Sequence, residues 1–368
     1  MRVLHVIDKS FLGGGQTAVG HLLTGFRGSE VESWLACRDG GPLIDVAREL
    51  QVPVYRVGFD KRFRPGPARA VAALVAGSAI DLVHAHGLVA TTYCTLARAF
   101  GSLRVPLLYH QHGFHDHNYG RLTHPLRTAA ERAVCRRADR VIAVSSADAV
   151  RLAAEAYVNR DRIELIPYGL PAPAAAAEEV ELARDGIGLP RGRPVVGLVG
   201  RLHPQKGIDV FLAAAARVAG QVPEALFVVV GTGAAEAPLR ELAQALGLAR
   251  SLRWAGGRPA AAFLPLLDIA VLASHWEGLP LVLLEYMASG RSIVTTDVPG
   301  CLDAVGPQEA EIVPRGDPAA MAEAILRLLR SPALAAAHGQ AARRRFEQHF
   351  TLTAMVSRFA AVYRGLLR

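Results

Sequence analysis

The chain has 368 residues, 51% of them hydrophobic, which is enough for buried cores in two domains at roughly 150 residues each. No apolar run reaches the ~18 residues of a membrane-spanning helix, and an aromatic content of 6% without any recognition motif argues against a nucleic-acid binder. The formal net charge of +8 is lopsided: residues 1–170 carry 21 Lys/Arg against 15 Asp/Glu and nine of the 13 histidines, which points to an anionic substrate or surface.

In chain order, apolar runs of strand length alternate with longer helical stretches rich in Ala, Leu and Arg. The opening "MRVLHVIDKS" reads as a strand, Val3–Ile7, rather than as a secretory leader. Further strands are expected at Ser33–Cys37, Val54–Val57, Leu82–Ala85, Leu107–Tyr109, Arg140–Val144 and Ile163–Ile166. The second half repeats the plan at Val195–Val199, Leu226–Val230, Leu252–Ala255, Ile269–Leu272 and Ser292–Thr295. Continuous apolar strands alternating with helices predict parallel sheets covered on both faces, hence two doubly wound α/β domains, residues 1–170 and 190–351. Between them "PAPAAAAEEVELARDGIGL", residues 171–189, reads as a linker with a short helix. The tail, from about residue 352 to 368, is amphipathic, with Met355, Phe359, Val362 and Leu366 near one helical face. Cys37, Cys94, Cys135 and Cys301 show no metal spacing and suit the reduced thiols of a cytoplasm.

Ligands of open parallel sheets bind beyond the carboxyl ends of the strands, so the segments after each strand carry the chemistry. After Val3–Ile7 comes "FLGGGQTAVGHLL", where Gly14 and Gly15 would let backbone amides approach an anion at a helix N-terminus. After Val195–Val199 comes "GRLHPQKG": Gly200 opens the turn, and Arg201 and Lys206 form a pair of cations suited to a diphosphate. "GTG", Gly231 to Gly233, is a second close-approach loop. No Asp-x-Asp occurs, so positive side chains and helix ends must neutralise phosphates without a metal bridge.

The stretch "SHWEGLPLVLLEYMASG", Ser274 to Gly290, holds two glutamates. Pro280 suits the first helical position and Gly290 the stop, so a helix is expected from about Pro280 to Ser289. Free amides at its start, Gly278 and Leu279, could hold a phosphate, with Glu277 ahead of the helix and Glu285 about 7.5 Å along it. Two such acceptors flanking an anion site match the two sugars that flank a diphosphate, one glutamate for each.

Together these segments resemble the retaining family 4 glycosyltransferases of the fold called GT-B. "EGLPLVLLEYMASG" is similar to that family's pair of glutamates, "GRLHPQKG" to its diphosphate loop, and "GGGQTAV" to its first glycine loop. "DLVHAHG", and "RADRVIAVSSADAVRLA" followed by "IELIPYGL", fit the same pattern over essentially the whole chain. Tyr168 stands where the family usually has Asn, and Tyr286 where it usually has Ala; neither departure falls on a presumed donor contact. The resemblance implies two Rossmann-like domains facing across a cleft, the first for the acceptor and the second for a nucleotide-diphosphate sugar, with the C-terminal helix crossing back to the first. It implies catalytic roles for His112, Glu277, Arg201 and Lys206. Glu277 would contact the transferred sugar, Glu285 the ribose, and Arg201 and Lys206 the leaving diphosphate. Gly14, Gly15, Gly200, Gly231, Gly233, Gly278 and Leu279 would complete the donor site. A front-side displacement without metal or other cofactor follows from it, with a UDP-sugar favoured over a GDP-sugar. The acceptor would be a sugar, a glycolipid or another hydroxyl compound.

Two rival classes are set beside this. His84/His86, His110/His112 and His115/His117 are His-x-His pairs, and in a strand such a pair shares a face and can ligate zinc, as in a metal-dependent hydrolase. A sugar-nucleotide-binding protein without catalysis is the other. The expected setting is cytoplasmic, with weak docking at the inner membrane face through Arg132, Arg136 and Arg140, which recur every four residues with Leu122, Leu126, Ala129, Ala133 and Val134 facing away.

Overall fold

A computed structural model describes residues 1–11, 13–38, 40–60, 64–114, 124–155 and 157–368, with only the backbone of His124. His115, His117, Arg121 and Leu122 lie outside the described residues. The chain divides into two compact units, Met1–Leu170 with Leu352–Arg368, and Pro171–Thr351.

The first unit is a seven-stranded parallel sheet in the order β3 (Val54–Arg56), β2 (Glu32–Cys37), β1 (Arg2–Ile7), β4 (Leu82–His86), β5 (Leu107–Gln111), β6 (Arg140–Ala143), β7 (Ile163–Leu165). Helices α1 (Gly14–Phe26), α2 (Pro42–Glu49), α3 (Pro65–Gly77), α4 (Gly87–Ala99), α5 (His124–Arg137) and α6 (Ser146–Ala154) make the crossovers. The strand order reverses between β1 and β4, so the ends of those two strands form a topological switch point. Side chains alternate faces: Leu4, Val6, Val83 and Ala85 point into one core, while Val3, Leu82 and Leu108 join the other. That second core is closed by α1 and the last helix, α14 (Leu352–Leu367). Gly25 of α1 makes room for Val356 and Leu352, so the two helices approach closely. Met355, Phe359 and Tyr363 are the buried residues of α14; Val362 and Leu366 flank them at the edge, and Tyr363 was not on the expected list.

The second unit is a six-stranded parallel sheet, β10 (Leu252–Gly256), β9 (Leu226–Val230), β8 (Val195–Val199), β11 (Ile269–Leu272), β12 (Ser292–Thr296), β13 (Glu311–Val313). β8 and β9 are buried at every residue, as strands covered on both faces must be. The helices are α7 (Ala177–Asp185), α8 (Ile208–Ala219), α9 (Glu236–Ala245), α10 (Leu281–Ala288), α11 (Pro299–Ala304), α12 (Pro318–Arg330) and α13 (Pro332–His349). The switch point lies between β8 and β11. Residues 171–189, read as a linker with a short helix, belong to this unit: α7 packs in it through Ala183, and Leu189 beyond the helix is buried as well.

The expected arginine stripe does not form. α5 ends at Arg137 and Arg140 opens β6, because Val141 to Ala143 are needed in the sheet. Arg132 is half-buried with its guanidinium 5.1 Å from the Tyr157 ring centre, and Val134 lies in the core. Leu126, Ala129, Ala133, Arg136 and Arg137 are exposed.

Candidate active site

At the switch point of the second unit the β8 and β11 exit loops come together. β8 ends at Val199, and Gly200 leads through Arg201 to a single helical turn, Pro204–Lys206. Gly207 follows with φ of 58°. A Cβ there would collide with the Ala273 carbonyl, so only glycine lets this loop dock on the β11 exit. Docking is fixed by the His275 N–H donating to the Gln205 carbonyl at 2.8 Å.

The result is a compact polar cluster. Lys206 Nζ lies 2.5 Å from Glu277 Oε1, with both side chains nearly buried, at 12% and 8% exposure. Ser274 Oγ donates to the same oxygen at 2.7 Å. Gln205 Nε2 donates to the Trp276 carbonyl at 2.9 Å and reaches Glu277 Oε2 at 3.4 Å. Arg201 is exposed and touches the cluster through Gln205 Oε1 at 3.4 Å. Sequence reasoning paired Lys206 with Arg201 and left Glu277 to a ligand; the fold instead gives Glu277 a cation of its own. Ser274 and Gln205 were missed. The available signal was position: each sits inside a motif already singled out.

Glu285 has a different fate. It is half-buried in α10, and its carboxyl makes no hydrogen bond among the described residues. Burial pushes its carboxyl up to about 7, against the opposing pull of Lys206. Pro280 is the residue ahead of α10 rather than its first, and α10 spans Leu281–Ala288. Gly278 is half-buried and Leu279 buried, while α11 presses on this loop: a Cβ at Gly300 would strike the Gly278 carbonyl.

Gly231 and Gly233 are required by neighbouring backbone. A Cβ at Gly231 would meet the Gly200 carbonyl, and one at Gly233 the Leu202 backbone. These glycines pack the β9 exit against the diphosphate loop, whose Leu202 N–H donates to the Thr232 carbonyl at 2.9 Å. Tyr286 is buried, accepts from the Val199 N–H at 2.8 Å and donates to the Val271 carbonyl at 3.3 Å. It fills the gap where β8 and β11 part.

At the switch point of the first unit lies a group of imidazoles. His5 of β1, His84 and His86 of β4, and His110 of β5 are all on the face covered by α1 and α14, with His5 opposite His84 and His86 opposite His110. Burial, reinforced for His84, His86 and His110 by neighbouring imidazoles, holds these rings well below the ordinary 6.5, His5 at about 3. His112 follows β5 and is half-buried. Its Cδ2 lies 3.3 Å from the site a Cβ would take at Gly15, so Gly15 leaves room for the ring, while Gly14 is open. Tyr168 is buried with its hydroxyl 2.6 Å from His112 Nδ1. Tyr168 touches none of the presumed donor contacts, but its hydroxyl fixes the orientation of the His112 ring, a role the sequence reading did not assign.

At the switch point of the second unit, the glycine loops after β8 and β9 thus pack together beside the Lys206–Glu277 pair. Two family models cover most of the chain: "Glycosyltransferase Family 4" over residues 12–172 and "Glycosyl transferases group 1" over residues 179–345. A D-inositol 3-phosphate glycosyltransferase of Salinispora arenicola is 31% identical over 307 residues, 77% of this chain and 68% of that protein. A 2-deoxystreptamine N-acetyl-D-glucosaminyltransferase of Streptomyces fradiae is 37% identical over 214 residues, 56% of this chain; the match spans 51% of that relative's length. The crystal structure of Anabaena HepE in complex with UDP superposes with a TM-score of 0.87 at 19% identity, covering 99% of this chain and 100% of that one. The fold is GT-B, and the chain belongs to glycosyltransferase family 4.

Proposed function

We propose that this chain is a retaining, metal-independent hexosyltransferase that moves a sugar from a nucleotide-diphosphate sugar to an acceptor hydroxyl. The observation that carries this is the Lys206–Glu277–Ser274–Gln205 cluster beside the unsatisfied Glu285. Lys206 spends one N–H on Glu277 and keeps two for diphosphate oxygens. Arg201, exposed at the rim, adds a second cation, and charge growing on the leaving diphosphate is stabilised most as the bond breaks. Glu285 would accept from the ribose hydroxyls, and Glu277 would align the transferred sugar. The departing phosphate oxygen would take the acceptor proton in a front-side displacement, with His112 acting on the sugar. The acceptor belongs to polysaccharide, glycolipid or glycoconjugate assembly, and uridine is the favoured donor base.

The test is release of nucleoside diphosphate from a panel of nucleotide sugars, with and without a chelator. Turnover that is unchanged by chelation and gives a product of retained anomeric configuration is expected. Loss on chelation with rescue by magnesium or manganese would overturn the phosphate site as described, and tight donor binding without any turnover would favour a binding protein.

A further inference from the structure

The cluster of His5, His84, His86, His110 and His112 is more than packing. His86 Nε2 lies 3.2 Å from His5 Nδ1, and its other nitrogen, Nδ1, lies 3.2 Å from His112 Nε2. His112 in turn has its Nδ1 on the Tyr168 hydroxyl at 2.6 Å. His110 stacks on His112 with ring centres 4.1 Å apart, and both of its ring nitrogens are buried without a hydrogen-bond partner among the described residues. A buried polar atom left unmatched costs about 1–3 kcal/mol, and His110 carries two of them.

We propose that His86, His110 and His112 bind a borderline divalent transition metal ion such as zinc or cobalt. One ligand nitrogen from each lies within 4.8 Å of the others. Two metal–imidazole bonds of about 2.0–2.1 Å at a tetrahedral angle span about 3.3 Å, close to the His86–His112 separation. A small rotation of the His110 ring closes the set. Outer partners are already placed: His86 holds His5 through its far nitrogen and His112 holds Tyr168, the arrangement that orients metal-binding imidazoles. His5, His84 and His86 form a second triad within the same distance limit, but all three are fully buried, and a dication there would have neither water nor a carboxylate. Half-buried His112 leaves the first triad a position for a water as fourth ligand. Three imidazoles without thiolate or carboxylate select zinc, cobalt, nickel or copper over magnesium or calcium. On the reading of His112 given under Proposed function, the ion acts as an inhibitor, because it takes the ring that the transferring sugar needs.

The experiment is a titration of tag-free, chelator-stripped protein with cobalt. One ion per chain, with the visible ligand-field absorption of a tetrahedral site and displacement by zinc, is expected. His110→Phe and His112→Ala should each weaken cobalt binding at least tenfold, as loss of a ligand or its support does, with the fold checked by circular dichroism. Exposed His349→Ala should leave it unchanged. Absence of the band, or its survival in both His110→Phe and His112→Ala, overturns the site; if His110→Phe fails to fold, His112→Ala decides alone. Zinc should lower transfer at least tenfold in an active preparation. Full activity with the band present overturns the inhibitory role only, whereas a chain that binds cobalt but never turns over any donor counts against the transferase and not against the metal site.

Discussion

At the scale of single residues, Glu277 and Glu285 differ in their partners. Glu277 is matched by Lys206, so removing one partner strands the other in a nearly buried place. Lys206→Ala is expected to cost about 3–5 kcal/mol of stability as well as about 10²–10³ in kcat, whereas Arg201→Ala, exposed, should lower kcat with the melting temperature unchanged. Thermal melts beside steady-state kinetics separate the two; equal stability losses would mean that Glu277 does not depend on Lys206. Glu285 is unmatched. Its folded carboxyl titrates near 7 rather than the ordinary 4.5, so the folded state is penalised as pH rises between those values. Glu285→Gln should therefore stabilise the protein by up to about 3 kcal/mol above pH 7, an advantage that fades below about pH 4.5. The same change should weaken nucleoside diphosphate by about 1.5–3 kcal/mol, because the ribose hydroxyls lose a charged acceptor. Denaturation at two pH values and calorimetry with the nucleotide check both signs, and a variant that gains nothing at high pH would show that the carboxyl is not strained.

At the scale of elements, the strands were legible because parallel strands buried on both faces are uninterrupted apolar runs: Val195–Val199, Leu226–Val230 and Ile269–Leu272 have the same limits in sequence and structure. β13 escaped, since Glu311–Val313 is a three-residue edge with two half-buried members and little apolar signal. α7 escaped as a packed element because Pro and Ala dominate its approach, and only Ala183 of the helix is buried. The site was legible where chemistry shows in residue type, as in Lys206, Glu277 and Glu285. It was opaque where the residue acts through a neighbour, as with Gln205 and Tyr168. Tyr286 shows how an element depends on such a residue. Its hydroxyl satisfies the Val199 N–H at the place where β8 leaves β11. Tyr286→Phe would leave that amide buried and unmatched, so a loss of about 1–3 kcal/mol in urea denaturation is expected, and a loss below about 0.5 kcal/mol would show that water replaces the hydroxyl.

At the scale of the whole molecule, the basic surplus of residues 1–170 gathers where Arg136, Arg160 and Arg162 line one groove, with Arg137 exposed beside it. At about 1 kcal/mol per basic residue near an anionic surface, this patch should give weak attachment to acidic vesicles that salt abolishes. Among the described residues no helix is long and apolar enough to cross a membrane. Co-sedimentation of the protein with acidic and neutral vesicles at low and high salt decides it; no binding at low salt, or equal binding to neutral vesicles, would sink the electrostatic account. The last helix carries a different consequence. Tyr363 places its hydroxyl 2.7 Å from His84 Nδ1, and Phe359 and Met355 fill the same core, yet α14 follows every residue of the second unit. On the ribosome, the first unit therefore waits for a helix that is made after the second unit. Until residue 363 has emerged, His84 lacks its phenol and one face of the first sheet stays uncovered, while the second unit already has all of its own sequence. Domains ordinarily mature in the order of their synthesis; here the second unit can finish before the first.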